Sequence, residues 1–449
     1  METRYDILIY NGTIVNASGV QKSDVGIIGE KIVSIRKHLK KEAKHLIDAS
    51  GKYLLPGIID VHVHPVYEDN MKDLSLTAAY GGTTTLIHFA YAKPGMKLID
   101  TIKKYKDEGL ESSFLDFSIH ATLFDPASQI KEIPKVFDLG VSSFKMFMTY
   151  AKLGWMTDDY HLAWAMDIIS QCGGLAMVHA ENGLVTDYLE DRSLEKKEDQ
   201  KEVFLKTRPD LLEAEAIFRA ITISTITRCP LYIVHLTTEK GISIIKDAKQ
   251  EGKMVYAETC PQYLTMTNFQ LRKFGALAKI GPPLRTQKDK MALWNAVKKG
   301  IIDTIASDHA PKAKRKDDPF FEAPFGSPQA ETMLIITYEE GVNKGRVNLP
   351  RLVQLLSENP AKIFGFYPKK GIIKEGSDAD IVIFDPNRIY MISQKNQHSK
   401  APYTLYEGRM CKGKPTLIMQ RGKILIEEDE LKAKPGGGRF LPTKIARRR

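Results

Sequence analysis

The sequence predicts an α/β protein, a (β/α)8 TIM barrel carrying a small β-sandwich built from both chain ends. Three observations lead there. Apolar strand-like runs alternate eight times with helical stretches between residues 54 and 366, the signature of βαβ units. No Gly-rich phosphate loop follows the first of these strands, which argues against an open doubly wound sheet. Both chain ends are strings of short strands and turns, too few at either end to enclose a core alone, and so expected to pair with each other.

Taken in order, residues 6–10 and 13–15 flank Asn11-Gly12, a dipeptide that signals a hairpin, and strand-like runs follow at 25–28 and 31–35. The barrel strands are expected at 57–62, 83–89, 117–123, 143–148, 175–179, 231–235, 255–258 and 304–307. Amphipathic helices stand out at 212–226 and 291–299. Strand patterns return at 379–384 and 416–426. The expected division is 1–53 for the first part of the sandwich, 54–366 for the barrel, 367–434 for the rest of the sandwich, and 435–449 for a C-terminal tail.

Composition narrows the class. With 43% hydrophobic and 27% charged residues, the 449-residue chain can bury a large core. No apolar run is long enough to span a bilayer and the first residues do not form a signal peptide, so a cytoplasmic protein without a membrane partner is expected. Cys172, Cys229, Cys260 and Cys411 are scattered, which suits a reducing compartment and argues against a thiolate metal site. The net charge of +10 is partly local to Lys444, Arg447, Arg448 and Arg449. Acidic residues are interspersed through the body and no aromatic-basic motif occurs, so no nucleic-acid partner is expected.

The chemistry is concentrated at strand ends. In Asp60-Val61-His62-Val63-His64-Pro65, alternation along an extended strand projects His62 and His64 together. The fifth strand ends in His179-Ala180-Glu181-Asn182, the sixth in His235, and the eighth in Ser307-Asp308-His309-Ala310-Pro311. The fourth carries Lys145 inside the apolar run Ser143-Phe144-Lys145-Met146-Phe147-Met148. Four histidines, an aspartate and a buried lysine at the C-terminal rim of one barrel, where such folds place active sites, form a candidate metal constellation.

Together with Ala79 to Thr85, Ser143 to Tyr150, Glu213 to Ile217, Glu258 to Leu264 and Gly281-Pro282-Pro283-Leu284-Arg285, these stretches resemble a cyclic amidohydrolase of the amidohydrolase superfamily, in its dihydropyrimidinase/D-hydantoinase branch. The resemblance spans the whole barrel. It implies hydrolysis of a cyclic amide or imide, a dihydropyrimidine or a 5-substituted hydantoin, by a hydroxide held between two divalent metals. The ions would be zinc, with manganese or cobalt as replacements. His62, His64 and Asp308 would hold one metal and His179 and His235 the other. Lys145, carboxylated by CO2, would bridge them, which requires a lysine kept neutral by burial. Asp308 would move the proton. Tyr150 would stabilise the oxyanion, and Tyr150, Gly281 and Phe325 would contact substrate. Phe147, Met148, Tyr150 and 153–156 would line an apolar pocket for the exocyclic substituent.

Relatives with a dihydroorotase activity follow the paired histidines with an arginine that binds a carboxylate. Here Pro65 stands in its place, so this loop supplies no cation and a carboxylate-bearing substrate is disfavoured. In contrast, Ser307 to Pro311 resembles the dihydroorotase and allantoinase form, which keeps those activities as alternatives. Gly281 also replaces a serine usual in the branch. A non-catalytic scaffold is the reading of another class, but all six ligand positions are present. The resemblance further implies a homodimer or homotetramer. The segment from Gly436 to Pro442 is expected either to lie on a neighbouring subunit or to be disordered.

Overall fold

The computed structural model describes residues 5–194 and 198–445. Eight parallel strands stand side by side in chain order: Ile58–Val63, Thr83–Ala92, Asp116–Leu123, Ser143–Phe147, Leu175–His179, Leu231–Ile233, Val255–Thr259 and Thr304–Ile305. The last meets the first, because Val63 bridges His309 in parallel and the His64 N–H donates to the His309 carbonyl at 3.0 Å. The ring is therefore a barrel. Its strands are buried along both faces, as expected where helices cover the outside and side chains fill the middle. Phe89, Met177, Tyr232 and Phe364 belong to the inner core, while Ile119, Val178, Ile217 and Leu293 belong to a larger cluster that seats the helices.

The helices start earlier than the apolar pattern suggests. Asp210–Thr227 gains the half-buried Asp210 and the exposed Leu211, and Gln287–Lys299 gains the polar turn from Gln287 to Lys290, which hydrophobic periodicity does not register. In the second, Thr286 and Asp289 form a capping box and Gly300 ends the helix in the left-handed region.

The two chain ends do build a sandwich. One sheet holds Lys31–Arg36, Asp24–Ile28, Tyr5–Tyr10 and Ala43–Asp48, all from the N-terminal end. The other runs Glu430–Leu431, Lys423–Glu427, Arg409–Gln420, Ile381–Ile392, Tyr53–Pro56, Thr13–Asn16 and Gly19–Lys22. Its antiparallel pairing of Ile381 with Pro56 joins the two ends. Ile7, Val25 and Ile27 from the first sheet share a core with Leu54, Ile381 and Leu417 from the second.

Two expectations are corrected. Asn11-Gly12 is not a hairpin turn, because the strands on either side of it enter different sheets. Asn11 takes the expected positive φ of 62°, but its side-chain amide donates to Asp48 and its N–H to Asp24, which ties the turn across the corner of the sandwich. A Cβ on Gly12 would lie 2.8 Å from the Leu54 side chain, so the crossing needs glycine. The described part of the tail is not disordered but packs on its own barrel. Phe440 bridges Phe117 of its own barrel, with Leu441 N–H to Phe117 carbonyl at 2.7 Å and Phe117 N–H to Arg439 carbonyl at 2.9 Å. Arg447, Arg448 and Arg449 lie outside the described residues.

Candidate metal centre and substrate cavity

His62 is the penultimate residue of the first barrel strand, and His64 follows the strand's end, where pairing with the second strand shifts register between Asp60 and Val63. Their ring centroids are 5.2 Å apart. The Nε2 atoms of both point at one oxygen of Asp308, at 3.2 Å from His62 and 3.3 Å from His64. Ligand atoms of all three lie within 4.8 Å of one another. His235, at the end of the sixth strand, sits 5.5 Å from His62 and 4.4 Å from His179, centroid to centroid. The structure thus brings together the four histidines and Asp308, and with Lys145 all six line one cavity of about 290 Å³.

Three of the four histidines have a second ring nitrogen engaged by the protein, whereas His235 Nδ1 is buried with no partner among the described residues. His62 Nδ1 lies 2.7 Å from Glu258, His64 Nδ1 lies 2.9 Å from the Tyr91 hydroxyl, and His179 Nε2 lies 2.6 Å from Glu181. Each contact fixes a ring and leaves its remaining nitrogen for the cavity, the arrangement that orients metal-ligating imidazoles. Glu258 is itself held, accepting from the Tyr232 hydroxyl and the His235 N–H. Asp60 accepts from the N–H groups of His62 and Ser307 and so stitches the first strand to the eighth.

Burial and charge set the protonation states. Burial alone would pull the His62 imidazole down, but Glu258 and Asp308 outweigh it and push it up to about 9. Burial draws His64 down to about 4 against the opposing pull of Asp308. Burial works against ionising Asp308, yet His62, His64 and His235 hold its carboxyl well below the usual carboxylate range. An anionic carboxylate amid imidazoles is a donor set suited to a divalent cation.

Lys145 is 2% exposed and has no carboxylate or carbonyl partner among the described residues. Its ammonium lies among the Phe89 and Phe147 rings, and burial draws it down to about 7 against the pull of Glu258 and Asp308. A substantial neutral fraction near neutrality is what carbamate formation requires. A second acidic group, Asp116, Asp378 and Asp380, also has metal-like spacing, but the Lys370 ammonium fills it at 2.8, 3.3 and 2.6 Å.

Tyr150 follows the fourth strand in the left-handed region, with φ 64° and ψ 39°, unusual for a bulky residue and held by the surrounding packing. Its ring lies 5.2 Å from His179 and 5.8 Å from Phe325. Burial raises its phenol well above the ordinary value, which keeps it a proton donor. A Cβ on Gly281 would stand 2.9 Å from the Tyr150 hydroxyl and 3.1 Å from Phe325. The three expected substrate contacts are therefore neighbours on one wall. Phe147, Leu153 and Trp155 join them there, whereas Met148 points outward into the core beneath the helices. Because successive strand residues alternate faces, Met148 cannot share the cavity with Phe147.

The sequence reading assigned no role to Glu258, Glu181, Tyr91, Tyr67, Lys279 or Lys312. The two glutamates sat inside recognised motifs at strand ends, where a carboxylate beside a ligand histidine is a usable signal. Tyr91 looks like one more residue of a long apolar strand.

The amidohydrolase family profile matches residues 53–425. A D-hydantoinase of Ralstonia pickettii is 38% identical over 97% of this chain and 98% of its own length. The dihydropyrimidinase of Rattus norvegicus is 34% identical over 97% of this chain and 88% of its own. Among solved structures, a D-hydantoinase superposes with a TM-score of 0.94 at 38% identity, covering 98% of this chain and 99% of the other. End-to-end matches of this kind, on a barrel whose rim carries the expected ligand residues, show that the chain belongs to the amidohydrolase family, in its dihydropyrimidinase/D-hydantoinase branch.

Proposed function

We propose that the protein hydrolyses the ring C–N bond of a cyclic amide or imide, a dihydropyrimidine or a 5-substituted hydantoin. The observation that carries this reading is the convergence of His62, His64, Asp308, Lys145, His179 and His235 on one cavity, in a chain similar throughout to hydantoinases and dihydropyrimidinases. His62, His64 and Asp308 would hold one divalent ion, His179 and His235 a second, with a carboxylated Lys145 shared between them. Such ions, when bound, supply Lewis acidity and make water acidic enough to ionise near neutrality. Asp308, facing His62 and His64, takes the proton from the attacking water and delivers it to the departing ring nitrogen. The Tyr150 phenol donates to the carbonyl oxygen as negative charge develops there. Phe147 and Trp155 keep bulk water from the ring.

Zinc is the proposed metal, with manganese or cobalt as replacements, and CO2 the source of the carbamate. Four free cysteines are consistent with a reducing, cytoplasmic setting. Leu211, Phe218 and Ile226 stand exposed along the helix Asp210–Thr227, which supports a homodimer or homotetramer.

A ring-opening screen tests the reading. Protein supplied with divalent metal and bicarbonate is offered dihydrouracil, substituted hydantoins, allantoin and dihydroorotate. Opening of dihydrouracil or a hydantoin is expected. Opening confined to allantoin or dihydroorotate would move the protein to those activities. No turnover on any ring, with no metal retained, would leave a non-catalytic scaffold.

A further inference from the structure

Three lysines gather at one side of the cavity. Lys279 and Lys312 line it, and Lys314 lies behind them, buried. Two have structural employment. The Lys279 ammonium donates to the carbonyls of Phe321 and Ala323 at 2.9 and 2.7 Å. That of Lys314 donates to the carbonyls of Lys279 and Pro324 at 2.9 and 3.2 Å. Lys312 differs. Its ammonium rests 4.2 Å over the Tyr67 ring, and among the described residues no carboxylate or carbonyl accepts from it. Asp308 is the one carboxylate among the cavity-lining residues, and it faces His62 and His64.

Tyr67 also fixes where that charge stands. Its hydroxyl lies 3.0 Å from that of Tyr91, which in turn lies 2.9 Å from His64 Nδ1. Lys312 is thus on the His64 side of the cavity, while the Tyr150 ring stands 5.2 Å from His179. A ring held against Tyr150 would direct a substituent at its far edge toward an ammonium whose hydrogen-bonding capacity is unspent. Asp308 attracts that ammonium through space, but no carboxylate among the described residues contacts it, and a half-buried cation so placed is unfavourable unless a ligand brings a charge into contact.

We infer that Lys312 reads an acidic substituent on the ring, so that the substrate is a cyclic amide carrying a carboxylate outside the amide being cleaved. The inference rests on the ring-opening function proposed above and names its substrate class. It also reverses the expectation drawn from Pro65: the loop after His64 supplies no cation, but the loop after Asp308 does.

A matched pair of probes decides it: hydantoin-5-acetic acid and its neutral isostere, hydantoin-5-acetamide, compared by kcat/KM. The wild-type protein is expected to favour the acid by about tenfold or more, mainly through KM, as for a charge-assisted hydrogen bond in a partly buried site. Lys312→Met should bring the ratio of the two close to one, and Lys312→Arg should keep it. A purely structural role for Lys312 would lower both probes together and leave the ratio unchanged. Equal opening of acid and amide by the wild type, or a preference that survives in Lys312→Met, overturns the assignment while leaving ring opening standing. Failure to open either probe or unsubstituted hydantoin overturns both.

Discussion

Lys145 sets the demands on single residues. A lysine that is 2% exposed, with no carboxylate in contact among the described residues and drawn down to about 7 by burial, costs stability unless its amine has a use. The carboxylation proposed above would give it one, turning a cation into an anion between the two sets of candidate ligands. Orienting partners of metal ligands typically cost 10- to 100-fold in metal affinity or activity when removed, and a shared direct ligand should cost more. Lys145→Ala is therefore expected to lose bound metal and to lower turnover by more than about 100-fold. Metal content and ring-opening rate measured on the same preparation check this, and two retained ions with full turnover would refute the carbamate. The proposed ligand residues stand out in the sequence because all but Lys145 lie at or just past the end of a predicted strand and the fold directs strand ends to one rim, while Lys145 stands out as a lysine inside an apolar strand. The residues that orient them do not. Tyr91 reaches His64 only because the barrel's curvature brings the second strand's end beside the first's, and no local pattern encodes that approach. The left-handed φ values of Tyr150, His235 and Asp308 were equally hidden, since none of these residue types signals such a conformation.

Among elements, the segment from Pro319 to Gly326 illustrates how an irregular loop can be made a wall. It contributes Phe321, Ala323, Pro324, Phe325 and Gly326 to the cavity without any strand or helix of its own. Lysine-to-carbonyl bonds replace the missing ladder: Lys279 to Phe321 and Ala323, and Lys314 to Pro324 and back to Lys279. Removing the Lys314 ammonium takes the donor from the Pro324 carbonyl and one of two donors from the Lys279 carbonyl, which keeps the Gly326 N–H, and leaving a carbonyl without its donor costs about 1–3 kcal/mol. Lys314→Met is expected to destabilise the protein by roughly 2 kcal/mol, to raise KM more than it lowers kcat, and to speed hydrogen exchange across 319–326. Unchanged exchange in that loop would show that the aromatic packing of Phe320 and Phe325 suffices. This kind of support is illegible beforehand, because a run such as Lys312-Ala313-Lys314-Arg315-Lys316 reads as solvated surface. The regular elements fared better. Strand-helix alternation yields the barrel directly, and the errors fall at helix starts, where polar or exposed first residues escape periodicity, and at Asn11-Gly12, where tertiary contacts redirect a turn the dipeptide does favour.

In the whole molecule, barrel, sandwich and tail are joined through one buried charge cluster. Asp116 opens the third barrel strand, whereas Asp378 and Asp380 lead into the sandwich strand Ile381–Ile392. The Lys370 ammonium sits among all three carboxylates, and Arg421 adds a second cation, reaching Asp116 and, at 2.6 Å, the Gly437 carbonyl of the tail. Arg439 then pairs with Glu30 at 2.6 Å, carrying the connection into the other sheet. Burial alone would lower the Lys370 pKa, but Asp380 and Asp116 more than reverse this and raise it above the ordinary lysine value of 10.5. A raised folded-state value means that its stabilisation is fully present below pH 10.5 and fades only as the pH climbs through the folded value. Lys370→Met strands buried carboxylates and is expected to cost about 3–5 kcal/mol, the usual result of removing one partner from a buried ion pair. The difference in melting temperature between wild type and variant should stay constant from about pH 7 to pH 9 and narrow only in strongly alkaline solution. Because the cluster also anchors Gly437, the variant's tail should become accessible to proteases before the barrel unfolds. A difference that already narrows on going from pH 7 to pH 9, or a tail as resistant as the wild type's, would mean that hydrophobic packing, chiefly Phe440 on Phe117, holds the parts together without the charges.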